Sequence, residues 1–187
     1  MAARRWCSAL VNADHPLADV YGRPGFMIRR AHQIAEALFA QECVEFNLTT
    51  TQHGVLRVAS RMPGIDQTGI GRLLGLDKST VALVVRNLAQ RDLLKRFPDE
   101  GDFRRHHIEI TAAGKRLITR VEGAVGRARK RLVSPLSAAE CQTFIALLER
   151  IVDSFNEVTR APIDDRPLFE AALRERKNHL RRKRKHA

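Results

Sequence analysis

The sequence predicts a mainly α-helical protein with a small β wing, in which a winged helix-turn-helix head is joined to long helices. Apolar residues recur at three- and four-residue steps over 24–46, 115–133 and 137–159, the period of a helix that buries one face. Three shorter helical patterns fall between residues 48 and 91, and a glycine-containing turn joins the last two. Two short strand-like segments follow, which predicts a β-hairpin, or wing, against the three helices.

Composition narrows the class of protein. The 187 residues include 33 Lys and Arg against 21 Asp and Glu, a formal charge of +12, and this excess favours a polyanion, nucleic acid first and an anionic membrane second. No apolar run approaches the roughly 18–20 residues of a spanning helix, and the N-terminus lacks the apolar core of a signal peptide. Cys7, Cys43 and Cys141 are too far apart for a disulfide framework or a CxxC metal site. We therefore expect a soluble cytoplasmic protein.

Five segments follow from the pattern along the chain. Weak periodicity and scattered polar residues predict a loosely ordered arm at the N-terminus. The last fourteen residues, Arg174 to Ala187, hold eight Lys and Arg and one Glu, which predicts a solvated tail or a nonspecific phosphate contact. The segments are the arm at 1–22, the first long helix at 23–47, the head at 48–114, two further long helices at 115–160 and the basic tail at 161–187.

Capping residues mark the helices of the head. Residues 48–51, Leu-Thr-Thr-Thr, supply an N-cap for the first helix. The second runs from Asp66 to Leu74, with Gly75 as its C-terminal stop. Asp77 then caps a third helix, Lys78 to Arg91. The apolar face of this third helix holds Val81, Val84, Val85 and Leu88.

The wing and the later helices have equally local signals. Segments 93–97 and 106–110 are short extended candidates around a polar loop at 98–102. Thr111 caps the helix that follows. The sequence Ser-Ala-Ala-Glu at 137–140 is a capping box, which predicts the start of the last long helix.

The chain resembles the MarR family of winged helix-turn-helix repressors. Residues 48–56, LTTTQHGVL, are like the family's opening "LTxxQ…VL", and residues 70–81, IGRLLGLDKSTV, are like "LAxxLGxxxSTV". Residues 88–94 with Asp-Phe-Arg-Arg at 102–105 look like "L…RGLL…DxRxxxxxLTxxG", which Thr-Ala-Ala-Gly at 111–114 completes. The match covers about residues 24–158, with Asp92 in place of the usual Gly and Ile110 in place of the common Leu.

The resemblance implies a homodimer on DNA. The long helices at 24–46, 115–133 and 137–159 would form the dimer interface, because a monomer would leave large apolar stripes in water. Two-fold symmetry then predicts a pseudo-palindromic operator with half-sites roughly 10 bp apart.

The helix Lys78–Arg91 is predicted to enter the major groove. Ser79 and Thr80 have the reach for base edges or phosphates, and Lys78 and Arg86 have the charge for phosphate or guanine. The alternative is that Ser79 and Thr80 only cap the helix beside Asp77.

In the wing, the resemblance implies that Asp102 pairs with one arginine and thereby holds the wing's shape. The other arginine would reach the minor groove. The candidates are Arg104 and Arg105, and the sequence does not say which takes which role.

The resemblance also implies a small-molecule effector, bound between the dimer helices and the head. Arg29, Arg30 and His32 form a polar patch that could hold a carboxylate, a phenolate or the phosphates of a coenzyme A thioester. His53 and Arg57 could face the same crevice. The opening IRRAHQ is similar to that of family members that regulate aromatic-acid degradation, so the effector class follows by analogy. Alternatively, the first three are solvated or pair across the dimer.

Two other regulatory or binding functions stay open, a thiol-based redox sensor that uses Cys43 and a nonspecific architectural DNA-binding protein that relies on the tail. A sensor thiol needs a lowered pKa and exposure, and the neighbouring Glu42 and Glu45 oppose the first. The sequence contains no hydrolase motif, no metalloprotease motif and no phosphate-binding glycine loop, so we do not expect an enzyme. No cofactor is expected either. Adjacent strand residues such as His106 and His107 point to opposite faces, which argues against a shared metal ion.

Overall fold

The computed structural model describes residues 16–98 and 106–164. It is mainly helical, with a small antiparallel sheet, as the sequence predicts. None of its described helices combines the length and the apolar character needed to cross a membrane. The helices are α1 (Ala18–Tyr21), α2 (Pro24–Glu42), α3 (Thr50–Arg61), α4 (Gln67–Leu74), α5 (Lys78–Gln90), α6 (Ala112–Val133) and α7 (Ala138–Phe155), with 3-10 turns at Val44–Phe46 and Asn156–Val158, and the strands are β1 (Ile65–Asp66), β2 (Leu94–Pro98) and β3 (His106–Ile110).

The described residues form two compact units, and the boundary falls within α6. Of these residues, the first unit contains 16–49 together with Gly123–Pro135, and the second contains the described residues within 50–122 and 136–164. Buried side chains of the first unit are Phe39, Cys43, Phe46, Leu48, Ala124 and Ala128.

In the first unit, Glu42 holds two arginines of α6. Its carboxylate accepts hydrogen bonds from Arg127 Nε at 2.8 Å and Arg131 Nη1 at 2.7 Å, and its side chain is only 16% exposed. These bonds hold the pKa of the Glu42 carboxyl below its usual value. The pairs therefore tie the end of α2 to the C-terminal half of α6.

A pH-dependent stability follows from Glu42. Because its folded-state pKa is lowered, its contribution is complete above the carboxyl's ordinary pKa and is lost as the pH falls through the folded value. We expect Glu42→Gln to lower the thermal unfolding midpoint at pH 7, by a difference from wild type that shrinks below pH 4.5. Thermal unfolding of both proteins from pH 7 to pH 3 measures this. A difference that is constant with pH would contradict the role of the charge.

The first long helix is shorter than the sequence predicts. The pattern over 24–46 continues apolar to Phe46, but α2 ends at Glu42, and a 3-10 turn carries the chain to Asn47, whose φ is +47°. Asparagine tolerates this left-handed conformation better than most residues do. Phe46 is buried all the same, so the apolar signal was that of the core and not of a continuing helix.

The second unit packs three helices against a three-stranded sheet of order β1-β3-β2. Leu94 pairs with Ile110, and Ile65 pairs with Ile108. Because residues two apart on a strand point to the same side, these four buried side chains lie on one face of the sheet, the face that packs on the helices. The predicted wing strands are confirmed to within one residue, whereas β1 was not predicted. The fully buried large side chains of this core are Leu56, Ile70, Leu88, Leu94, Ile108, Val55, Val81, Val85 and Val121.

The turn between α4 and α5 depends on its glycine. Gly75 has φ +61°, the left-handed conformation that ends a helix, and the amide of Leu76 then donates to the Gly71 carbonyl oxygen at 3.0 Å. Asp66 caps α4 through the Gly69 amide at 2.7 Å, and Asp77 caps α5. This fixes the helix-turn-helix that the sequence predicts.

Candidate nucleic-acid interface

Helix α5 has one buried and one exposed face. Its inward residues Val81, Val84, Val85 and Leu88 are all within 9% exposure, so the helix is fixed in rotation by the core. The buried face therefore determines which residues of α5 face outward. The outward face carries Lys78, Ser79, Ala82, Leu83, Arg86 and Gln90.

At the N-terminus of α5, Asp77 organises two of the predicted DNA-contacting residues. Its Oδ1 accepts from the Thr80 amide at 2.9 Å and from Ser79 Oγ at 2.5 Å, and its Oδ2 accepts from Thr80 Oγ1 at 2.8 Å. These bonds, that from Ser79 first, hold the pKa of the Asp77 carboxyl far below its usual range. Asp77 is thus ionised. Ser79 and Thr80 take part in capping the helix, and their hydroxyl oxygens stay at its N-terminal end.

The two predicted cations of α5 are Lys78 and Arg86, and both are exposed. Within the described parts of the chain, neither forms an ion pair. The arrangement is chemically suited to polyanion binding, since exposed cations that no neighbouring carboxylate neutralises favour phosphate.

The structure describes the two strands of the wing and not the loop between them. Pro98, the last residue of β2, pairs with His106, the first residue of β3. Asp102, Arg104 and Arg105 lie outside the described residues, and their roles stay predictions. His107 is held in the sheet, with Nδ1 2.7 Å from the Gly64 carbonyl oxygen.

Three of the predicted effector residues are exposed on α2, in the first unit. The guanidinium of Arg29 lies 5.2 Å from the centre of the Phe26 ring. Arg30 Nη1 donates to Gln33 Oε1 at 3.2 Å, and His32 Nε2 lies 3.7 Å from Glu36 Oε2, an ion pair only when the histidine is protonated. Both arginines keep most of their donors available for an anion.

The other two predicted effector residues lie on α3, in the second unit. Arg57 Nη1 donates to Glu122 Oε2 at 3.0 Å, which offsets much of its charge. Burial, reinforced by the nearby Arg57, lowers the pKa of His53, so this imidazole is neutral at pH 7. The five residues are thus divided between two units, and a common effector site stays a prediction.

Cys43 does not have the environment of a sensor thiol. It is 1% exposed, and burial together with the charge of Glu42 raises the pKa of its thiol. A thiolate, the reactive form, is therefore disfavoured. The structure supports the structural interpretation of Cys43 over the redox alternative.

We expect Cys43 to resist alkylation in the native protein and to react fully in urea. Iodoacetamide at pH 7.5, followed by site-resolved mass spectrometry, measures the modified fraction at Cys43. The urea sample controls for the reagent. Native modification as fast as in urea would restore the thiol-sensor hypothesis.

Sequence reasoning missed two features of this surface. It named the polar residues of α5 but not Leu83, which is 48% exposed between them; counting helical steps from Ser79 would have found it. It also placed the chain after 160 in the tail, whereas the segment to Asp164 packs on the helix-turn-helix.

The terminal segment of the second unit contacts the turn before α5. The Asp164 amide donates to the Arg72 carbonyl oxygen at 3.0 Å, and Asn156 exchanges two hydrogen bonds of 2.9 Å with the backbone of Ile163. A Cβ on Gly75 would lie 3.2 Å from Ile163 Cγ1, so the contact is close. A cavity of about 510 Å³ lies between this segment and the starts of α4 and α5.

Comparison with known proteins identifies the fold and the family. The model of the MarR family matches residues 48–106. A protein of Thauera aromatica described as a transcriptional regulatory protein for the hcr operon is 32% identical over 136 residues, which cover 70% of this chain and 79% of the relative.

Two solved structures extend the similarity. The PcaV transcriptional regulator of Streptomyces coelicolor, in complex with its natural ligand, is 34% identical with a TM-score of 0.68, over 72% of this chain and 95% of that one. BpsR of Bordetella bronchiseptica, whose DNA binding is regulated by 6-hydroxynicotinic acid, is 25% identical with a TM-score of 0.68, over 71% and 95%. These relatives are regulators and not enzymes. The chain therefore belongs to the MarR family of DNA-binding transcriptional regulators.

Proposed function

We propose that the chain is a homodimeric repressor that binds a pseudo-palindromic operator and is released by a small aromatic acid or its coenzyme A thioester. The observation that carries the DNA-binding part is the outward face of α5, where Ser79, Arg86 and Lys78 stand exposed on a helix whose other face is fixed in the core. Such a helix inserts into the major groove without rearrangement. Arg104 and Arg105 would add a minor-groove contact from the wing.

The apolar face of α7 supports the homodimer. None of the 18 residues of this helix is buried. Exposed apolar patches of this kind mark interaction sites, and a second copy of the chain offers the same patch in a self-complementary arrangement. The exposed apolar side chains, at 40–61% exposure, are Phe144, Ile145, Leu147, Ile151, Val152 and Phe155.

The exposed cations of α2 support an anionic effector. Arg29 and Arg30 can each bind a carboxylate by two parallel hydrogen bonds, and His32 can add a third donor when it is protonated. His53 and Arg57 are the second part of the proposed site, with Arg57 shared with Glu122. The regulation of BpsR by 6-hydroxynicotinic acid makes a small aromatic acid the first class to test. By linkage, effector and operator must then weaken each other equally.

The effector proposal is tested by titrating operator DNA with a panel of aromatic acids and their coenzyme A thioesters. We expect one panel member to lower operator affinity. The double variant Arg29→Ala/Arg30→Ala should keep operator affinity and lose the response, whereas Arg23→Ala, at the start of the same helix, should keep both. Release by no member, or an unchanged response in the double variant, would contradict the proposed effector class and site respectively.

The terminal segment favours a supporting role for the basic tail on DNA. Asp164 is held against Arg72 at the helix-turn-helix, and the basic cluster begins ten residues later in the sequence at Arg174. Ten residues span at most about 33–36 Å. The tail is thus long enough to reach phosphates that flank the operator. Nonspecific binding by the tail would then support sequence-specific binding by the head and would not be a separate architectural function.

Deleting residues 174–187 is expected to weaken binding to operator and to scrambled DNA by about the same factor. Each lost phosphate contact lowers the slope of log affinity against log salt by about 0.9. Anisotropy titrations of both duplexes from 50 to 300 mM salt measure slope and ratio. A deletion that changes the ratio of the two affinities would show that the tail reads sequence.

A further inference from the structure

An apolar side chain stands in the middle of the polar face of α5. Leu83 is 48% exposed, and it lies four residues after Ser79 and three before Arg86, so the three share one stripe of the helix. A single exposed leucine is ordinary on a protein surface. Here, however, it lies between the residues that would contact DNA, so a bound duplex would cover it.

We propose that Leu83 contacts the methyl group of a thymine in each half-site and thereby makes that position specific. The thymine C5-methyl is the one apolar group that a base pair presents in the major groove, and aliphatic side chains recognise it by contact. Leucine has no hydrogen-bonding group, so it cannot read any other base. The inference rests on the proposed insertion of α5 into the major groove.

Replacing thymine by deoxyuridine tests this contact, because it removes only the methyl group. An operator is first selected from random duplexes with the wild-type protein, and each thymine is then replaced in turn. We expect one replacement per half-site to weaken wild-type binding about fourfold, the worth of one buried methyl. The Leu83→Ala protein should bind thymine and deoxyuridine duplexes equally at that position.

Leu136→Ala is the matched control, since Leu136 is also partly exposed, at 37%, but lies between α6 and α7, outside the helices that are predicted to form the dimer. It should keep the full deoxyuridine effect, and thermal unfolding should show Leu83→Ala to be folded. Equal deoxyuridine effects in wild type and Leu83→Ala at every thymine would overturn the inference while leaving the operator proposal intact. A selection that enriches no sequence would contradict the operator proposal itself, and this inference with it.

A different observation concerns the hydroxyl hydrogens of Ser79 and Thr80. An ionised carboxylate carries no hydrogen, so in the bonds of 2.5 Å and 2.8 Å to Asp77 both hydroxyls must donate. Each hydroxyl then has only its lone pairs left for another partner. Hydrogen bonds to a charged group are stronger than neutral ones, which keeps the hydroxyls in this orientation.

We infer that Asp77 is a positioning residue that turns Ser79 and Thr80 into pure acceptors toward the bases. In the major groove the complementary donors are the amino groups of cytosine N4 and adenine N6. The two hydroxyls would therefore face amino groups and reject the guanine O6, guanine N7 and thymine O4 acceptors. This inference rests on the same proposed placement of α5.

Asp77→Asn tests the orientation, because asparagine caps helices as well as aspartate does. If its oxygen stays with the Thr80 amide, its amide nitrogen replaces Oδ2 and donates to Thr80 Oγ1. The hydroxyl hydrogen of Thr80 is then released toward the DNA. In binding-site selection with Asp77→Asn, the preferred base at one position per half-site should change. A base that presents an amino group in the major groove should be replaced by one that presents an acceptor.

Thr80→Val removes the hydroxyl and keeps the shape, so it serves as the control. In the double variant Asp77→Asn/Thr80→Val the change of base preference should be absent. Selection of the wild-type sequence by Asp77→Asn would overturn the inference, and so would a change of preference that persists in the double variant. If Ser79→Ala/Thr80→Ala left both affinity and preference unchanged, the placement of α5 would be at fault instead.

Discussion

Gly114→Ala is expected to lower the free energy of unfolding by about 1–3 kcal/mol, although alanine is the better helix former. Gly114 lies in the first turn of α6, where its amide donates to Thr111 Oγ1 at 3.0 Å. A Cβ there would overlap the Leu93 carbonyl oxygen and lie 2.7 Å from Ile110 Cγ1. Because the first of these is backbone, the helix start or the sheet edge must move. Urea unfolding of wild type and variant measures the loss.

Gly123→Ala is the matched control on the same helix. Gly123 is exposed, and its added Cβ would approach only the end of Arg127, at 3.9 Å. Here the helix preference of alanine should dominate, and we expect a gain of about 0.4–1 kcal/mol. The same sign for both substitutions would mean that Gly114 has room that the structure does not show.

Ile151→Asp is expected to weaken self-association by at least about 100-fold. Ile151 lies in the middle of the exposed apolar stripe of α7, at 46% exposure. If this stripe meets its copy in the dimer, the variant places two unpaired carboxylates in an apolar interface, and the cost is several kcal/mol. Sedimentation equilibrium measures the dissociation constant.

Gln142→Asp introduces the same charge on the opposite face of α7 and should leave the dimer intact. A monomeric Ile151→Asp protein should also lose operator affinity, since only one half-site is then bound at a time. A wild-type protein that is already monomeric, or an Ile151→Asp protein that dimerises normally, would contradict the proposed interface.

Local signals explain why most of the fold could be predicted. Asp77 was predicted to cap the third helix of the head, and its bond to the Thr80 amide is formed as expected. Asp66, predicted as the first residue of the preceding helix, caps that helix through the Gly69 amide. Two short extended segments around a polar loop predicted the wing strands, and these segments pair as β2 and β3. Strand β1 is only two residues long, and its pairing with Ile108 and His107 depends on tertiary contacts that no local pattern carries.

The candidate site was predicted by residue type, and its errors have the same origin. Polar side chains can hydrogen-bond to bases and phosphates, so Ser79 and Arg86 were predicted to contact DNA and the apolar Leu83 was not. The sequence treated DNA contact and helix capping by Ser79 and Thr80 as alternatives, whereas their bonds to Asp77 make capping compatible with contact. The predicted effector residues lie on α2 and α3, which belong to different units. Their spacing in the sequence does not determine the distance between them in space.

The central claim is sequence-specific binding of a DNA duplex by two copies of the chain. The most direct measurement is an equilibrium titration of a labelled duplex from the protein's own upstream region against a scrambled duplex at 150 mM salt, with the mass of the complex measured in parallel. We predict affinity for the upstream duplex at least about 1,000-fold tighter and two chains per duplex. Equal affinities for the two duplexes, or one chain per duplex at saturation, would contradict the account.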